Sequence, residues 1–136
     1  MGTQFSGFVL FRKDRAYFKR DALGKAEVSK LRVGKEDLIE LARSFDALDK
    51  IKVTRSGMWV YDEVLYKRLV VNAVTLSRMR RRSSLKTLRL VEAVGKLDDY
   101  SLHFWYTEAA SAFKRGGLRA LGRVSRSLRV LYGVDR

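Results

Sequence analysis

The clearest structural signal in this 136-residue chain lies in residues 67–89, which read KRLVVNAVTLSRMRRRSSLKTLR. At about 100° per residue, a helix places five of the cations in this stretch within one narrow sector, with Arg81 beside them. Those five are Lys67, Arg78, Arg82, Lys86 and Arg89. Four apolar residues fall largely to one side of that sector: Leu65, Leu69, Leu76 and Met79. The pattern predicts a helix that rests on a core and shows its cations to a partner.

The same stretch lacks negative charge, because no carboxylate occurs between Val64 and Val91. Like charges at i,i+4 destabilise a helix by about 0.2–0.5 kcal/mol per pair, so a solvated face normally mixes signs. One interpretation is a solvated cationic face, and the other is a track for phosphates. The helix either continues to Val94 or breaks near Ser83 and Ser84. In both cases we expect Gly95 to end it in the left-handed conformation that glycine favours.

Length and composition limit the class of protein. A chain of 136 residues is long enough for one domain with its own core, here a mixed hairpin and helix region, 1–61, and a basic helical region, 62–136. There is no Cys and only one His, so we expect no disulfide and no metal site. No apolar run reaches 18 residues, which favours an intracellular, non-secreted protein without a membrane span. One Asn, one Gln and many Lys and Arg are typical of a hot environment.

The charge is unevenly distributed along the chain. Residues 1–66 carry 13 basic and 10 acidic side chains, net +3, whereas residues 67–136 carry 16 basic and 5 acidic side chains, net +11. The total of +14 makes copies of the chain repel one another. Such a protein usually has a polyanionic partner, which is nucleic acid or, less often, an anionic membrane. We expect nucleic acid and no membrane.

The first half predicts two hairpins and one helix. Residues 8–11 and 16–18 are apolar runs across a charged gap, which fits a β-hairpin or, nearly as well, an amphipathic helical arm. Residues 21–34 predict a loop with at most one helical turn near 26–31. Leu38, Leu41, Ala42, Phe45 and Leu48 predict a helix over 35–48. Residues 51–61 alternate around an Arg-Ser-Gly turn and predict a second hairpin.

The last third predicts two further helices. Asp98 or Asp99 is suited to cap a helix over 100–115, and Gly116-Gly117 predicts a helix–helix turn before a helix over 118–132. In that last helix the apolar residues span one side: Leu118, Leu121, Val124, Leu128 and Leu131. The cations Arg119, Arg123 and Arg126 lie on the opposite side, and Arg115 has the same angular position around the helix axis. The predicted fold class is therefore mainly α, a helical bundle with one or two small β-hairpins in the N-terminal half.

Catalytic chemistry has little support in the sequence. His103 has no suitably spaced acid, so we interpret it as a packing or capping residue, and Glu108 is not on its helix face. We expect no enzyme, no cofactor and no small-molecule substrate. Three successive aromatics, Phe104, Trp105 and Tyr106, point in different directions on a helix; one of them either stacks on a base or packs against another subunit. The two cationic helix faces carry almost no aromatics, which favours contact with the backbone of a duplex.

Residues 108–133, EAASAFKRGGLRALGRVSRSLRVLYG, carry a family resemblance. Their helix, glycine-containing turn, small-residue helix and closing Tyr-Gly resemble the major capsid proteins of filamentous and rod-shaped archaeal viruses. The residues that carry this resemblance are Gly116, Gly117, Ala120, Gly122, Tyr132 and Gly133. It implies a helical subunit that coats double-stranded DNA and polymerises along it, located in the virion or the host cytoplasm. The two predicted hairpins depart from the all-helical pattern of that family.

Two other classes fit parts of the chain. The small subunit of a CRISPR effector complex resembles it in being short, basic and mostly helical, and implies RNA as the partner. The segment over 35–61, a helix followed by a hairpin with Arg55 at its tip, resembles the end of a winged-helix DNA-binding regulator; Glu36, Asp37 and Glu40 would face phosphates with the wrong sign. We therefore expect a structural protein that binds duplex DNA without sequence preference, beside copies of itself or a related chain.

Overall fold

The computed structural model describes residues 6–13, 15–20, 25–77, 79 and 84–133, with backbone alone for 25–30 and 118. The fold class is as predicted: mainly α, with a small antiparallel sheet in the N-terminal half. In chain order the elements are β1 Gly7–Arg12, β2 Arg15–Arg20, β3 Lys25–Leu31, α1 Lys35–Ser44, β4 Ile51–Val53, β5 Gly57–Val60, α2 Glu63–Leu76, α3 Leu85–Gly95 and α4 Asp99–Tyr132.

Both predicted hairpins are present, and they belong to one sheet of order β3-β2-β1-β5-β4. The link is β1, which pairs antiparallel with β2 on one side and with β5 on the other. The prediction of a loop with a helical turn at residues 26–31 was wrong, because these residues form β3 on the free edge of β2. The pairing shifts register twice along β3, and such bulges interrupt the alternation that identifies a strand in a sequence.

Helix α1 ends earlier than predicted. It begins after Gly34, whose backbone N–H donates to Asp37 Oδ2 at 3.1 Å, and it buries Leu38, Leu41 and Ala42 as expected. It stops at Ser44 instead of Leu48, and Asp46 shortly afterwards has a φ of 55°. A left-handed residue cannot continue a right-handed helix, and the chain passes through a single 3-10 turn into β4.

Helix α2 is the central helix of the molecule. Its N-cap is Asp62, whose carboxylate accepts from the Leu65 backbone N–H at 2.8 Å. Ten of its fourteen residues are buried, and it packs on α1, α3, α4 and the inner face of the sheet. Gly7 permits a close approach to the sheet, because an added Cβ there would lie 2.5 Å from the Tyr66 ring. A helix that is apolar on nearly every side forms a core rather than a boundary with solvent.

The predicted helix through residues 67–89 is two helices. Helix α2 ends at Leu76, and α3 begins only at Leu85, after Ser84 caps it by accepting from the Thr87 N–H at 3.3 Å. Of the two possibilities left open by the sequence, the structure has the break, and Ser84 is the N-cap of the second helix, but α2 ends seven residues before Ser83. Gly95 does end α3, but it has no positive φ. It is instead required for packing, since an added Cβ would lie 2.4 Å from Phe45 Cε1.

Helix α4 is a helical hairpin, as the Gly116-Gly117 prediction requires. Gly117 adopts φ 60° and ψ −142°, a conformation found almost only in glycine. In a straight helix Trp105 and Tyr132 would stand about 40 Å apart, at 1.5 Å per residue. Instead their ring centroids are 6.4 Å apart, and Trp105 Nε1 donates to the Tyr132 hydroxyl at 3.3 Å. Residues 118–132 therefore fold back along the first part of α4.

The start of α4 is set by Asp98. Its carboxylate accepts from the Ser101 backbone N–H at 2.7 Å, and the Ser101 hydroxyl adds a second hydrogen bond. Both interactions favour the ionised form and hold the pKa of Asp98 below its ordinary value. A carboxylate here also faces the positive end of the helix dipole. One continuous core cluster joins the inner face of the sheet, α1, α2, α3 and both parts of α4.

Candidate nucleic-acid interface

The arginines of residues 118–132 form one exposed face. Leu121, Ser125 and Leu128, at i, i+4 and i+7, are buried against the core, at 3%, 0% and 0% exposure. The opposite side of the helix carries Arg119, Arg123 and Arg126 at the same spacing, and all three are exposed. We call these three residues the arginine face. They extend over about 10 Å of helix axis at 1.5 Å per residue.

No carboxylate pairs with the arginine face among the residues that the structure describes. The ion pairs there join Arg20 to Glu63, Arg43 to Glu40, Lys50 to Asp62 and Lys96 to Glu92. Residues 118–132 contain no Asp or Glu at all. Like charges repel at this spacing, by about 0.2–0.5 kcal/mol per i,i+4 pair. The face is thus a local concentration of positive charge that a polyanion would relieve.

Arg115 lies just before the hairpin turn of α4 and is exposed. Its Nε donates to the carbonyl of Ser111 at 3.4 Å, which directs part of the guanidinium along its own helix. The apolar side of residues 118–132 is less complete than predicted, because Leu131 is 50% exposed and Val124 is only partly buried. The opposition of arginines and core residues nevertheless holds at Leu121 and Leu128.

Lys67 lies on α2, whereas Lys86 and Arg89 lie on α3. It is half-buried between α2 and α4, with Nζ 3.3 Å from His103 Nδ1 and 5.8 Å from the centroid of the Tyr106 ring. The prediction placed Lys67 in one sector with Lys86 and Arg89, and it was wrong because those residues stand on a different helix. The spacing of residues along one helix does not indicate that α4 covers this side of α2.

Lys86 and Arg89 are exposed on α3, as predicted. Their surroundings are mixed, since Leu85 and Leu88 are also exposed and Glu92 pairs with Lys96 at 3.0 Å on the same helix. Arg78, Arg81 and Arg82 lie outside the described residues. Of the ten predicted contact residues, the structure brings three together on one surface, the arginine face, and leaves Lys86 and Arg89 as exposed cations of α3.

A polar cluster that the sequence did not indicate surrounds Tyr106. The Tyr106 ring is buried, at 4% exposure, and its hydroxyl accepts from Arg20 Nη1 at 3.2 Å. Arg20 also pairs with Glu63 at the start of α2. His103 is exposed beside Lys67, with Nε2 3.5 Å from the Thr107 hydroxyl, so its interpretation as a packing or capping residue was wrong. This cluster joins the sheet, α2 and α4, and only a three-dimensional structure reveals it.

The three successive aromatics of α4 divide as follows. Trp105 and Tyr106 are buried, at 9% and 4% exposure, and Phe104 is 48% exposed with its ring against Trp105. Of the three, Phe104 is therefore the side chain that lies off the core face. Tyr100, one turn before Phe104, is 84% exposed and extends the apolar surface of that end of the helix.

An apolar cavity of about 560 Å³ lies between α1 and α3 and has acidic residues at its edge. Leu41, Phe45, Leu76 and Val91 contribute its apolar lining. The carboxylates that line it belong to Asp37, Glu40 and Glu92. Negative charge at this position repels phosphates, so the cavity does not extend the arginine face.

No helix of the described part of the chain is long and apolar enough to cross a membrane. Comparison of the chain with protein-family models, with curated proteins and with solved structures returned no match.

Proposed function

We propose that this protein binds nucleic acid through the sugar–phosphate backbone, without sequence preference, and that the arginine face makes the central contact. The supporting observation is the set Arg119, Arg123 and Arg126, exposed on one helix side without a described carboxylate partner. Arginine is suited to this role because its guanidinium is always charged and binds phosphate in a bidentate manner. Affinity for a phosphate backbone comes mainly from such cations and carries no sequence information.

Double-stranded DNA is the partner that this face fits best. The only aromatic residue in 118–132 is Tyr132, which lies on the other side of the helix against Trp105. Proteins that bind single strands stack bases on aromatic rings, whereas a duplex offers its phosphates and keeps its bases stacked internally. A row of arginines without rings therefore favours a duplex over a single strand.

We further propose that the chain coats duplex DNA as a repeated subunit, in the manner of a viral nucleocapsid. A net charge of +14 opposes association of free copies, and a polyanion bearing one charge per about 1.7 Å of duplex removes that repulsion. The exposed side chains of Tyr100 and Phe104 then offer apolar surface to a neighbouring copy. Contacts that do not close into a ring produce an open helix of indefinite length.

The salt dependence of binding tests the electrostatic part. Six cations that the structure leaves exposed were predicted to contact phosphate: Lys86, Arg89, Arg115, Arg119, Arg123 and Arg126. Counterion release gives a log–log slope of about −5 for six contacts, at about 0.9 per phosphate of B-form DNA. The measurement is fluorescence anisotropy of a labelled 30-base-pair duplex at several salt concentrations.

A triple variant tests the arginine face itself. R119Q/R123Q/R126Q should make the slope shallower by about 2.7 and leave the melting temperature nearly unchanged, because the three side chains are exposed. R43Q/K50Q/K96Q is the matched control, since it removes the same charge from exposed cations that already pair with carboxylates. If both variants change the slope equally, binding follows net charge and the arginine face is not the contact.

Electron microscopy tests the coating. Mixing the protein, with a second capsid chain if one exists, with long duplex DNA at low salt should give regular filaments whose length follows that of the DNA. A Y100S/F104S variant should bind short duplexes normally and fail to form filaments. Discrete particles on a short guide RNA would contradict the coating proposal and support the CRISPR small-subunit alternative. Binding confined to one DNA sequence would support the winged-helix alternative.

A further inference from the structure

The two faces of the β-sheet differ in burial and in chemistry. Residues of β1, β2 and β5 alternate between the two faces, and the inner ones, Val9, Phe18, Met58 and Val60, are fully buried. The outer positions carry aromatic and basic side chains. The pairing of β4, β5, β1 and β2 places Lys52, Trp59, Phe8 and Lys19 side by side in one row across the sheet.

The apolar side chains of this face lie outside the hydrophobic core of the described residues. The core cluster and the side chains packed against it there do not include Phe8, Tyr17, Trp59 or the aliphatic Leu10. Trp59 is 38% exposed, and its ring centroid lies 4.7 Å from that of Phe8 at an interplanar angle of 54°. Leu10 and Tyr17 are paired across β1 and β2 in the neighbouring row. A contiguous apolar surface rimmed by polar residues marks an interaction site.

Gly57 shapes this surface. An added Cβ at this position would lie 2.6 Å from Phe8 Cζ and 2.3 Å from the Val9 carbonyl oxygen. The Phe8 ring therefore lies across Gly57 on the sheet, directly beside Trp59. Glycine in a strand costs stability, so its presence here fits a site where another group must approach the backbone closely. The two rings are consequently held in place before any partner arrives.

The charges of the face indicate which partner it fits. Lys19 and Lys52 flank the two rings in the cross-strand row, and Arg12 lies further along β1 on the same side. No carboxylate occurs among the described outer-face residues of β1, β2, β4 and β5. A second copy of this chain would bring like charges together on this surface. A polyanion that also carries planar rings is complementary to both its charge and its aromatic groups.

We propose that the outer sheet face is a second nucleic-acid site, which binds single strands by stacking bases on Trp59, Phe8 and Tyr17 while Lys19 and Lys52 contact the phosphates. Sheets that present aromatics in this way stack two or three unpaired bases, and the flanking cations follow the backbone. Neighbouring strands are about 4.8 Å apart, so the row from Lys52 to Lys19 spans roughly 14 Å, enough for a short run of nucleotides. This site is independent of the arginine face.

The test compares a labelled single strand, dT12, with the 30-base-pair duplex. Trp59→Leu should weaken dT12 binding by about tenfold, because one stacked base is worth that much or more on alanine substitution. It should change duplex binding less than twofold. Tyr100→Leu is the matched control, because this exposed aromatic lies on α4 and not on the sheet and should affect neither ligand. In the parent protein dT12 should quench tryptophan fluorescence, since Trp59 is exposed and Trp105 is buried against Tyr132.

A second variant separates binding from folding. K19Q/K52Q keeps all the rings and should make the salt slope for dT12 shallower by about 1.4, at 0.7 per phosphate of a single strand. R119Q/R123Q/R126Q should leave the quenching by dT12 unchanged. A result that concerns duplex binding alone therefore tests the arginine face and not the single-strand site. Equal dT12 binding by the parent and by folded Trp59→Leu would overturn the proposal. So would a parent dimer in sedimentation that Trp59→Leu converts to a monomer, since a second copy would then occupy the face.

Discussion

Helical spacing predicts one cationic face that begins in α2 with Lys67 and another in residues 118–132, yet of these two regions only the second has all of its predicted cations exposed. Ten of the fourteen residues of α2 are buried, and Lys67 is half-buried against α4. In residues 118–132 the buried positions are confined to one side, and the arginine face lies opposite them. The same rule for reading a sequence therefore succeeded in one helix and failed in the other.

The difference lies in the apolar residues rather than in the charges. Residues 64–76 carry Val70, Val71, Ala73 and Val74 in addition to the leucines, so their apolar surface surrounds the helix. Residues 118–132 carry small or polar residues on the flanks of their apolar side. A helix that is apolar all round is buried whatever the spacing of its charges. The width of the apolar side therefore determines whether a cationic sector of a helix is exposed to solvent. It is the feature to assess before the spacing of the charges.

The largest expected effect concerns the burial of α2. Leu69 is fully buried at the centre of that helix, so Leu69→Ala should lower the free energy of unfolding by about 2–5 kcal/mol. Leu85→Ala is the matched control, because Leu85 is 61% exposed and its truncation should change the free energy by less than about 0.5 kcal/mol. Urea denaturation followed by circular dichroism measures both. Similar losses in the two variants would contradict the central position of α2.

The second effect concerns the turn that exposes the arginine face. Gly117→Ala should lower the free energy of unfolding by about 1–3 kcal/mol, because alanine is strained at φ 60° and ψ −142°. Steric overlap is not the cause, since an added Cβ would meet no atom within 4 Å. Near-ultraviolet circular dichroism of Trp105 reports whether Tyr132 still packs against it. A variant as stable as the parent would mean that the backbone at Gly117 is not left-handed.

Local patterns in the sequence were sufficient for most of the elements. Both hairpins, α1 and the helical hairpin of α4 follow from alternation, from three-and-four spacing and from the glycine pair at 116–117. Strand β3 was missed because Val28 pairs with Phe18 while Leu31 pairs with Ala16, so two residues of β3 stand opposite the single Tyr17 of β2. A bulge of this kind removes the period on which the prediction depends.

The candidate sites were predictable only where burial follows from one element alone. The arginine face needs nothing beyond residues 118–132, and it was found. The prediction for Lys67 was wrong because the environment of this residue depends on His103 and Tyr106, which belong to α4. The outer sheet face was missed because Phe8 and Val9 are both apolar, and a sequence does not tell which of two apolar faces the helices cover.

The smallest expected effect tests the interior of α2 once more. Asn72 is fully buried, and neither atom of its amide has a hydrogen-bond partner in the described part of the chain. A buried, unpaired amide costs about 1–3 kcal/mol, and the larger leucine side chain offsets part of the gain from removing it. Asn72→Leu should therefore raise the free energy of unfolding by about 1 kcal/mol in urea denaturation. If both Asn72→Leu and Asn72→Ala instead lower the free energy of unfolding by more than about 1 kcal/mol, the amide is paired in solution. The interior of α2 then holds a polar contact that its apolar surroundings do not suggest.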